Sequence, residues 1–450
     1  MSARAGNKIE QLPWSQPHLP YTPLKVVTEE QLEQIHRTSM RVLSEAGIRV
    51  MSETVMDLFE RAGAIVDRDE MTIRIDESIV AQALETVPQS FDMVARNPEK
   101  RITMGGSAMN FGLVAGPPNT HDMINGRRPG NHEDYCNFIR LAHHFNAVNI
   151  IGNQVVAPME LPANTRHLDT YLANLTLSDL TFHCTAIGRG RALDGINMMA
   201  ISRGISVEEM RAVPGVVTVI SVNSPRLLDE AMTDGLMAMA EHGQPVSITP
   251  FTLMGAMAPI TVAGAITLSH AEALAALTLT QLTNPGAPVC YGTFTSNVDM
   301  KSGAPAFGTP SHFQASLAAG QLARFIGLPW RSAAGSASNL NDVQAANENQ
   351  LGLWGCLMAG ATVMIHSAGW LEGGLSVSYE KIVTDVEVLN MIAELCAGAQ
   401  AGADEIGFDT ALSHVDPSGH FFASPQTMER YNTEFYEPIV HDYANFGTWT

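Results

Sequence analysis

The residue spacings that usually announce catalysis are missing from this chain. It has no H-E-x-x-H, no Walker sequence and no G-x-S-x-G elbow. Gly188-Arg189-Gly190 follows a strand-like run, but the next glycine is Gly195, so dinucleotide spacing fails and a tight strand-to-helix turn explains it better. His143 and His144 are adjacent on a helical pattern and face different directions, which suits a surface pair and not a metal site. The five cysteines, Cys136, Cys184, Cys290, Cys356 and Cys396, are nowhere closer than 40 residues. Scattered thiols without a C-x-x-C suit a reducing compartment, and no ligand set at zinc spacing predicts no metal bound by this chain.

What remains is a series of residues at the ends of strand-like runs: Asn153, Thr185, Asn223, Phe251, Phe294, Ala337, His366 and Trp370. Phe251, Tyr291, Phe294 and Trp370 could turn aromatic faces to a cation, worth roughly 0.5–2 kcal/mol per contact, or serve as core rings. Glu372 could lend such a cation charge, or simply open a helix. His366, if protonated, could hold a carboxylate, and it could equally be a satisfied core histidine.

Those positions depend on the elements around them. After residue 131 apolar runs at 149–156, 181–187, 216–223, 246–251, 288–295, 330–336 and 362–369 alternate with helical patterns such as 229–242, 270–283, 311–326 and 342–359. Such alternation means crossover units and a parallel sheet. Seven units without a break in rhythm predict a closed TIM-type (β/α)8 barrel, with the eighth strand near 111–115 or after 400. In that fold chemistry sits at the carboxyl ends of the strands. Four of these ends are rich in small residues, around 291–294, 303–310, 334–338 and 367–374, which predicts a wide mouth. Ahead of the barrel lie an arm (1–25) and a helical and β-hairpin subdomain (26–130). Thr28-Glu29-Glu30-Gln31 reads as a capping box, helices are expected at 52–62 and 78–86, a strand at 72–75, and Asn125-Gly126 marks a hairpin turn.

The chain's 450 residues fit roughly three domains or one decorated barrel. A formal charge of −20 argues against nucleic acid and anionic membrane as partners and is compatible with a cationic substrate. Residues 1–23 carry no apolar signal core, and the apolar run at 351–365 falls short of the roughly 20 residues of a membrane span, so a soluble cytoplasmic protein is expected.

Several stretches, in order, carry a family likeness. Leu32-x-x-Ile35-His36-x-x-Ser39-Met40-x-Val42-Leu43-x-x-x-Gly47-Ile48, the run from Leu282 to Gly292, Gly303-Ala304-Pro305-Ala306-Phe307-Gly308-Thr309-Pro310 and Gly369-Trp370-Leu371-Glu372 resemble the trimethylamine methyltransferase family. The resemblance implies a TIM barrel that removes a methyl group from a methylated amine. The implied acceptor is the cob(I)alamin of a separate small corrinoid protein docked over the mouth. Gly335-Ser336-Ala337-Ser338 matches the sequence in which archaeal members carry pyrrolysine, and Ala337 stands in its place. Members without pyrrolysine use quaternary amines, so the resemblance points to glycine betaine, proline betaine or carnitine-type donors. Demethylation of a tertiary methylamine and a non-catalytic methylamine-binding barrel are the alternatives. In this frame Phe294, Trp370, Tyr291 and Phe251 are the candidate cage, with Ala337, Glu372 and Asn223 beside it. His366 would meet a substrate carboxylate or a cobalamin edge. Self-association into a homo-oligomer is also expected.

Overall fold

The computed structural model describes residue 9 and residues 11–449 except residue 153, so the candidate Asn153 lies outside the described residues. Its centre is a closed barrel of eight parallel strands. In chain order these are β1 (Asn110–Leu113), β2 (Ile150–Ile151), β3 (Thr181–Cys184), β4 (Val216–Ile220), β5 (Val246–Ile248), β6 (Val289–Gly292), β7 (Trp330–Ala333) and β8 (Val363–Ala368). Each strand pairs with its sequence neighbours, and β8 closes on β1 through Val363↔Asn110 and Met364↔Phe111. The strand left unplaced between two alternatives is thus β1, at 110–113. It lies inside the expected 26–130 subdomain, so the barrel begins before residue 131.

The hairpin at Asn125-Gly126 is present, with Asn119–Asp122 antiparallel to Gly126–Pro129. It belongs to the mouth, because it follows β1 and pairs with Ser376–Ser378 after β8. Ahead of β1, Thr28 and Gln31 form the capping box of helix Glu29–Arg41. Helices Glu53–Arg61 and Glu77–Thr86 follow, with a small sheet that joins Ile48–Val50 to Leu227–Leu228. A second hairpin, Phe91–Met93 with Ile102–Met104, plugs the amino end of the barrel. Its Met93, Ile102 and Met104 pack on Ile150, Val217, Val363 and Ile365 inside.

The 246–251 and 288–295 runs are each two strands. Pro250 has no N–H for the ladder, and Gly292 sits so close to β5 that a Cβ would lie 2.4 Å from the Ile248 carbonyl. Past these points the chain leaves the barrel and Phe251–Met254 pairs in parallel with Phe294–Val298, Phe251 in register with Phe294. Helix Val262–Thr283 is long and apolar enough to cross a membrane by composition, but 78% of its most apolar 18-residue window is buried and it serves as a core helix of the outer layer.

Candidate functional site

Strand register fixes what faces the lumen. Adjacent residues in register share a face, and Val217 and Val363 are interior. His183 is in register with Val217, Ser247 with Cys290, and Arg331 with both Gly292 and Val363. His183, Ser247, Cys290 and Arg331 therefore point inward, making a polar layer where barrels usually place Val, Ile and Leu. By the same register Tyr291 pairs with Ile248 and Trp330 on the outer face. Its hydroxyl meets His270 Nδ1 at 2.9 Å in the helical layer, so it does not reach the lumen.

Arg331 is the least expected member of this layer. It is 3% exposed, and its Nε and Nη1 are buried without a hydrogen-bond partner. It makes no ion pair among the described residues. Burial lowers its pKa to about 10, so it stays cationic at neutral pH. His183 Nδ1, Ser247 Oγ and Thr249 Oγ1 are likewise buried and unpartnered. Buried polar groups normally find partners, and an unpaired one costs about 1–3 kcal/mol, more when charged.

Above this layer stand the aromatic rings. Phe294 lies 5.2 Å from Phe251 and 5.0 Å from Phe307, centroid to centroid, the latter stacked. Trp370 meets Phe294 and Phe307 edge-on at 6.0 and 5.6 Å. The Arg331 guanidinium carbon is 5.9 Å from the Phe294 centroid, so cation and ring wall adjoin. His366 completes the wall, 3.9 Å from Trp370 and 5.5 Å from Phe294. Simple alternation from Val363 and Ile365 would turn His366 outward. A register shift between Met364 and Ala368, with His366 at φ 59, turns it onto the site. Its Nδ1 accepts the Ala115 N–H at 3.1 Å, so the ring proton sits on Nε2. Burial first, then the Arg331 charge, hold its pKa well below 6.5, and burial takes His183 to about 3. Both rings are neutral, so the condition on which the sequence let His366 hold a carboxylate, a protonated ring, is not met, and what it can offer is a neutral Nε2–H.

The loops after β7 and β8 hold this wall. One carboxylate oxygen of Glu348 accepts from Ser336 Oγ (2.7 Å), Ala337 N (2.8 Å) and Ser338 N (3.2 Å). Ala337 is half-buried within that clasp. The Glu372 and Gly373 amides donate back to the Ser338 and Ser336 carbonyls. Asp385, paired with buried Lys381, receives the Gly369 N–H at 2.9 Å. Glu372 is paired with Arg127 at 2.8 Å and bonded to Ser376, so its carboxylate is engaged away from the rings. Asn223 is exposed and fixes its own turn through Asp229 at 2.8 Å, and the Thr185 amide is bound to the Tyr171 hydroxyl. The structure thus gathers Phe251, Phe294, His366 and Trp370, leaves Tyr291, Glu372, Asn223 and Thr185 apart, and adds Arg331, His183 and Phe307.

A barrel of this connectivity with an aromatic wall over a lone buried guanidinium can be set beside known proteins. The model of the trimethylamine methyltransferase (MTTB) family matches residues 1–450. The chain belongs to that family. It is 33% identical to a glycine betaine methyltransferase of Desulfitobacterium hafniense over 94% of this chain and 88% of that protein. It is 27% identical to a proline betaine:corrinoid methyltransferase of Eubacterium limosum, over 91% and 85%. A trimethylamine methyltransferase of Methanosarcina barkeri is 25% identical over 95% and 86%. Among solved structures, the monomethylamine methyltransferase of Methanosarcina barkeri shares the fold, with a TM-score of 0.52 at 11% identity over 89% and 90% of the two chains. This MTTB-family protein is accordingly a methyltransferase on a TIM barrel, acting on a methylated amine.

Proposed function

We propose that this methyltransferase takes its methyl group from a short betaine, glycine betaine or a close analogue, and passes it to the cob(I)alamin of a separate corrinoid protein. The observation that carries the reading is Arg331, an unpaired guanidinium 5.9 Å from the Phe294 ring. A betaine has both complements: a carboxylate for Arg331 and the neutral Nε2–H of His366, and a quaternary ammonium for the rings. Trimethylamine has no anion and would leave the guanidinium unpaired. The names of the glycine betaine and proline betaine relatives agree with this choice.

The chemistry asks little of the protein. A quaternary ammonium leaves as a neutral tertiary amine: the N–CH3 bond breaks with its electron pair on nitrogen, and no general acid is needed. Reduced cobalamin, when docked, supplies the nucleophile for the methyl carbon. Arg331 fixes one end of the substrate and the aromatic wall the other, so the methyl is aimed out of the barrel. Cation–aromatic contact favours the charged ground state, which makes aim the use of the wall and not charge stabilisation in the transition state. Exposed Met123, Ile124, Met159, Ile260, Met300 and Leu340 stand on five of the loops that follow barrel strands. Apolar side chains on that face suit a protein partner seated over the mouth.

The test supplies a cob(I)alamin source with glycine betaine or trimethylamine and reads the demethylated amine by NMR. Dimethylglycine should form and dimethylamine should not. Arg331→Met should lower kcat/KM for glycine betaine roughly 10- to 150-fold, the worth of a hydrogen-bonded charge at about 1.5–3 kcal/mol. Equal turnover of trimethylamine, with Arg331→Met unchanged, would overturn the reading.

A further inference from the structure

Glu348 lies in the second turn of helix Val343–Ala359, which follows β7, so it stands at the mouth, half-buried. The helix does not need it as a cap. Asp342 is the N-cap, and its carboxylate accepts the Ala345 N–H and the Ser338 hydroxyl, both at 2.9 Å. Glu348 turns one oxygen to the loop after β7 and takes the Ser336 hydroxyl and the Ala337 and Ser338 amides. Gln344 donates to its other oxygen at 2.8 Å, which holds the side chain from the helix. Three donors on one oxygen exceed its two lone pairs, so these bonds are shared.

The loop held this way is joined to the loops on either side. The Ser336 and Ser338 carbonyls accept the Gly373 and Glu372 amides, at 3.0 and 2.8 Å, from the loop after β8. On the other side, Gly308 lies so close to the Glu348 backbone that a Cβ on it would stand 2.2 Å from the Glu348 Cα. The rings follow from these attachments. Phe307 directly precedes Gly308, and Phe294 is stacked on Phe307. Trp370 lies two residues before Glu372 and packs on Gly335, next to the clasped Ser336. Three rings of the wall therefore take their places from one carboxylate. Arg331 sits on β7 itself, and the Gly369 end of the β8 loop is fixed separately by Asp385, so neither depends on Glu348.

We propose that Glu348 is the positioning residue of the ring wall, setting its aim on the cation without touching the substrate. The inference rests on the wall being the cation site. Aim and affinity separate here. Without the clasp the rings and Arg331 remain, so the donor still binds. What falls is the fraction of bound donor whose methyl lies in line with the nucleophile.

The test compares Glu348→Ala with Glu348→Gln, whose side-chain oxygen keeps the reach and accepts the same donors, though less strongly than a carboxylate. The donor is whichever methylated amine the wild type demethylates with a cob(I)alamin source. Glu348→Ala should lower kcat about ten- to a hundredfold and move KM less than about threefold, and Glu348→Gln should keep both within about threefold of wild type. Hydrogen exchange over residues 334–340, read by mass spectrometry, needs no donor. The Ala337 and Ser338 amides should exchange slowly in wild type and the Gln variant and quickly in the Ala variant. A failure to demethylate a betaine therefore counts against the substrate alone, and the clasp stands or falls on these amides. Wild-type kcat in the Ala variant, a Gln variant as impaired as the Ala variant, or equally fast amides in all three would overturn the proposal. Should Glu348→Ala not fold, Glu348→Asp replaces it. Its carboxylate is a methylene short, so kcat and amide protection should fall in the same way, and an Asp variant equal to wild type refutes the role.

Discussion

A guanidinium inside a barrel without an anion is a cost that folding alone does not explain, since an uncompensated buried charge is among the most destabilising features a core can hold. Arg331 is tolerable when something binds it, and that makes it the residue from which substrate choice is argued. His366 serves the same end with a neutral proton. Because burial and the Arg331 charge keep this ring unprotonated far below its usual range, its Nε2–H persists across the physiological span. kcat/KM for the betaine should therefore stay flat from about pH 6 to pH 8.5. A rise or fall centred near pH 6.5 would show that this histidine titrates and that its role is misassigned. The sequence carried Phe251, Phe294, His366 and Trp370 to the site because residues at strand ends converge in a barrel. It did not lead to Arg331, which lies one residue into β7, below the ends. The usable signal was a lone cation in the run Trp330-Arg331-Ser332-Ala333-Ala334, where a buried strand has no other reason to hold one.

The elements show why these side chains are held firmly. Trp370 stands between two glycines: a Cβ on Gly374 would lie 2.5 Å from its ring, and one on Gly335 would lie 3.2 Å away. Gly374 also has φ +102, a conformation that side chains resist. Gly374→Ala should shift the indole, raise the betaine KM about tenfold or more and leave kcat less affected. Unchanged KM would mean that Trp370 does not touch the substrate. Much of this level was legible in the sequence: the parallel barrel, the capping box at Thr28 and the small-residue loops at the mouth follow from periodicity and turn chemistry. The breaks were not. Apolar runs continue through Pro250 and Thr293, so nothing in hydrophobicity separates β5 and β6 from the small sheet that aligns Phe251 with Phe294. The sequence offers two places for the eighth strand, near 111–115 or after 400, because the four residues of β1 sit among loops and hairpins, and closure against β8 decides between them. The turn of His366 is a register shift, which pattern reading by twos cannot foresee.

At the scale of the whole molecule, the same burial that tunes the site sets the response to acid. Four histidines are buried and neutral: burial lowers His183 and His270 to about 3 and His312 to about 4, and holds His366 well below 6.5. Each gains a proton in the unfolded chain near pH 6.5 but not in the folded one until far lower. Below pH 6.5 the unfolded state therefore binds more protons, and each ring removes up to about 1.4 kcal/mol of stability per pH unit. Two acids oppose this. Burial raises Glu272 to about 7 and also raises Asp385, so folding favours their protonated forms, and their contribution fades as pH rises through the folded values. With four rings against two carboxyls, the histidines prevail between pH 6.5 and the folded histidine values near 3–4. The net loss should amount to several kcal/mol by pH 5, enough to threaten a domain whose total stability is on the order of 5–15 kcal/mol. Calorimetric Tm should hardly change from pH 8 to 7, where proton uptake by folded Glu272 offsets the first protonation of the unfolded histidines, and then fall steeply from pH 6.5 to 5. His183 lies in the lumen beside Arg331, so a bound betaine should blunt that fall by pairing the guanidinium and adding its own binding energy to the folded state. A Tm that holds level down to pH 5 without ligand would mean that these rings are hydrated or protonated in the folded protein, and the polar layer of the barrel would then have to be redrawn.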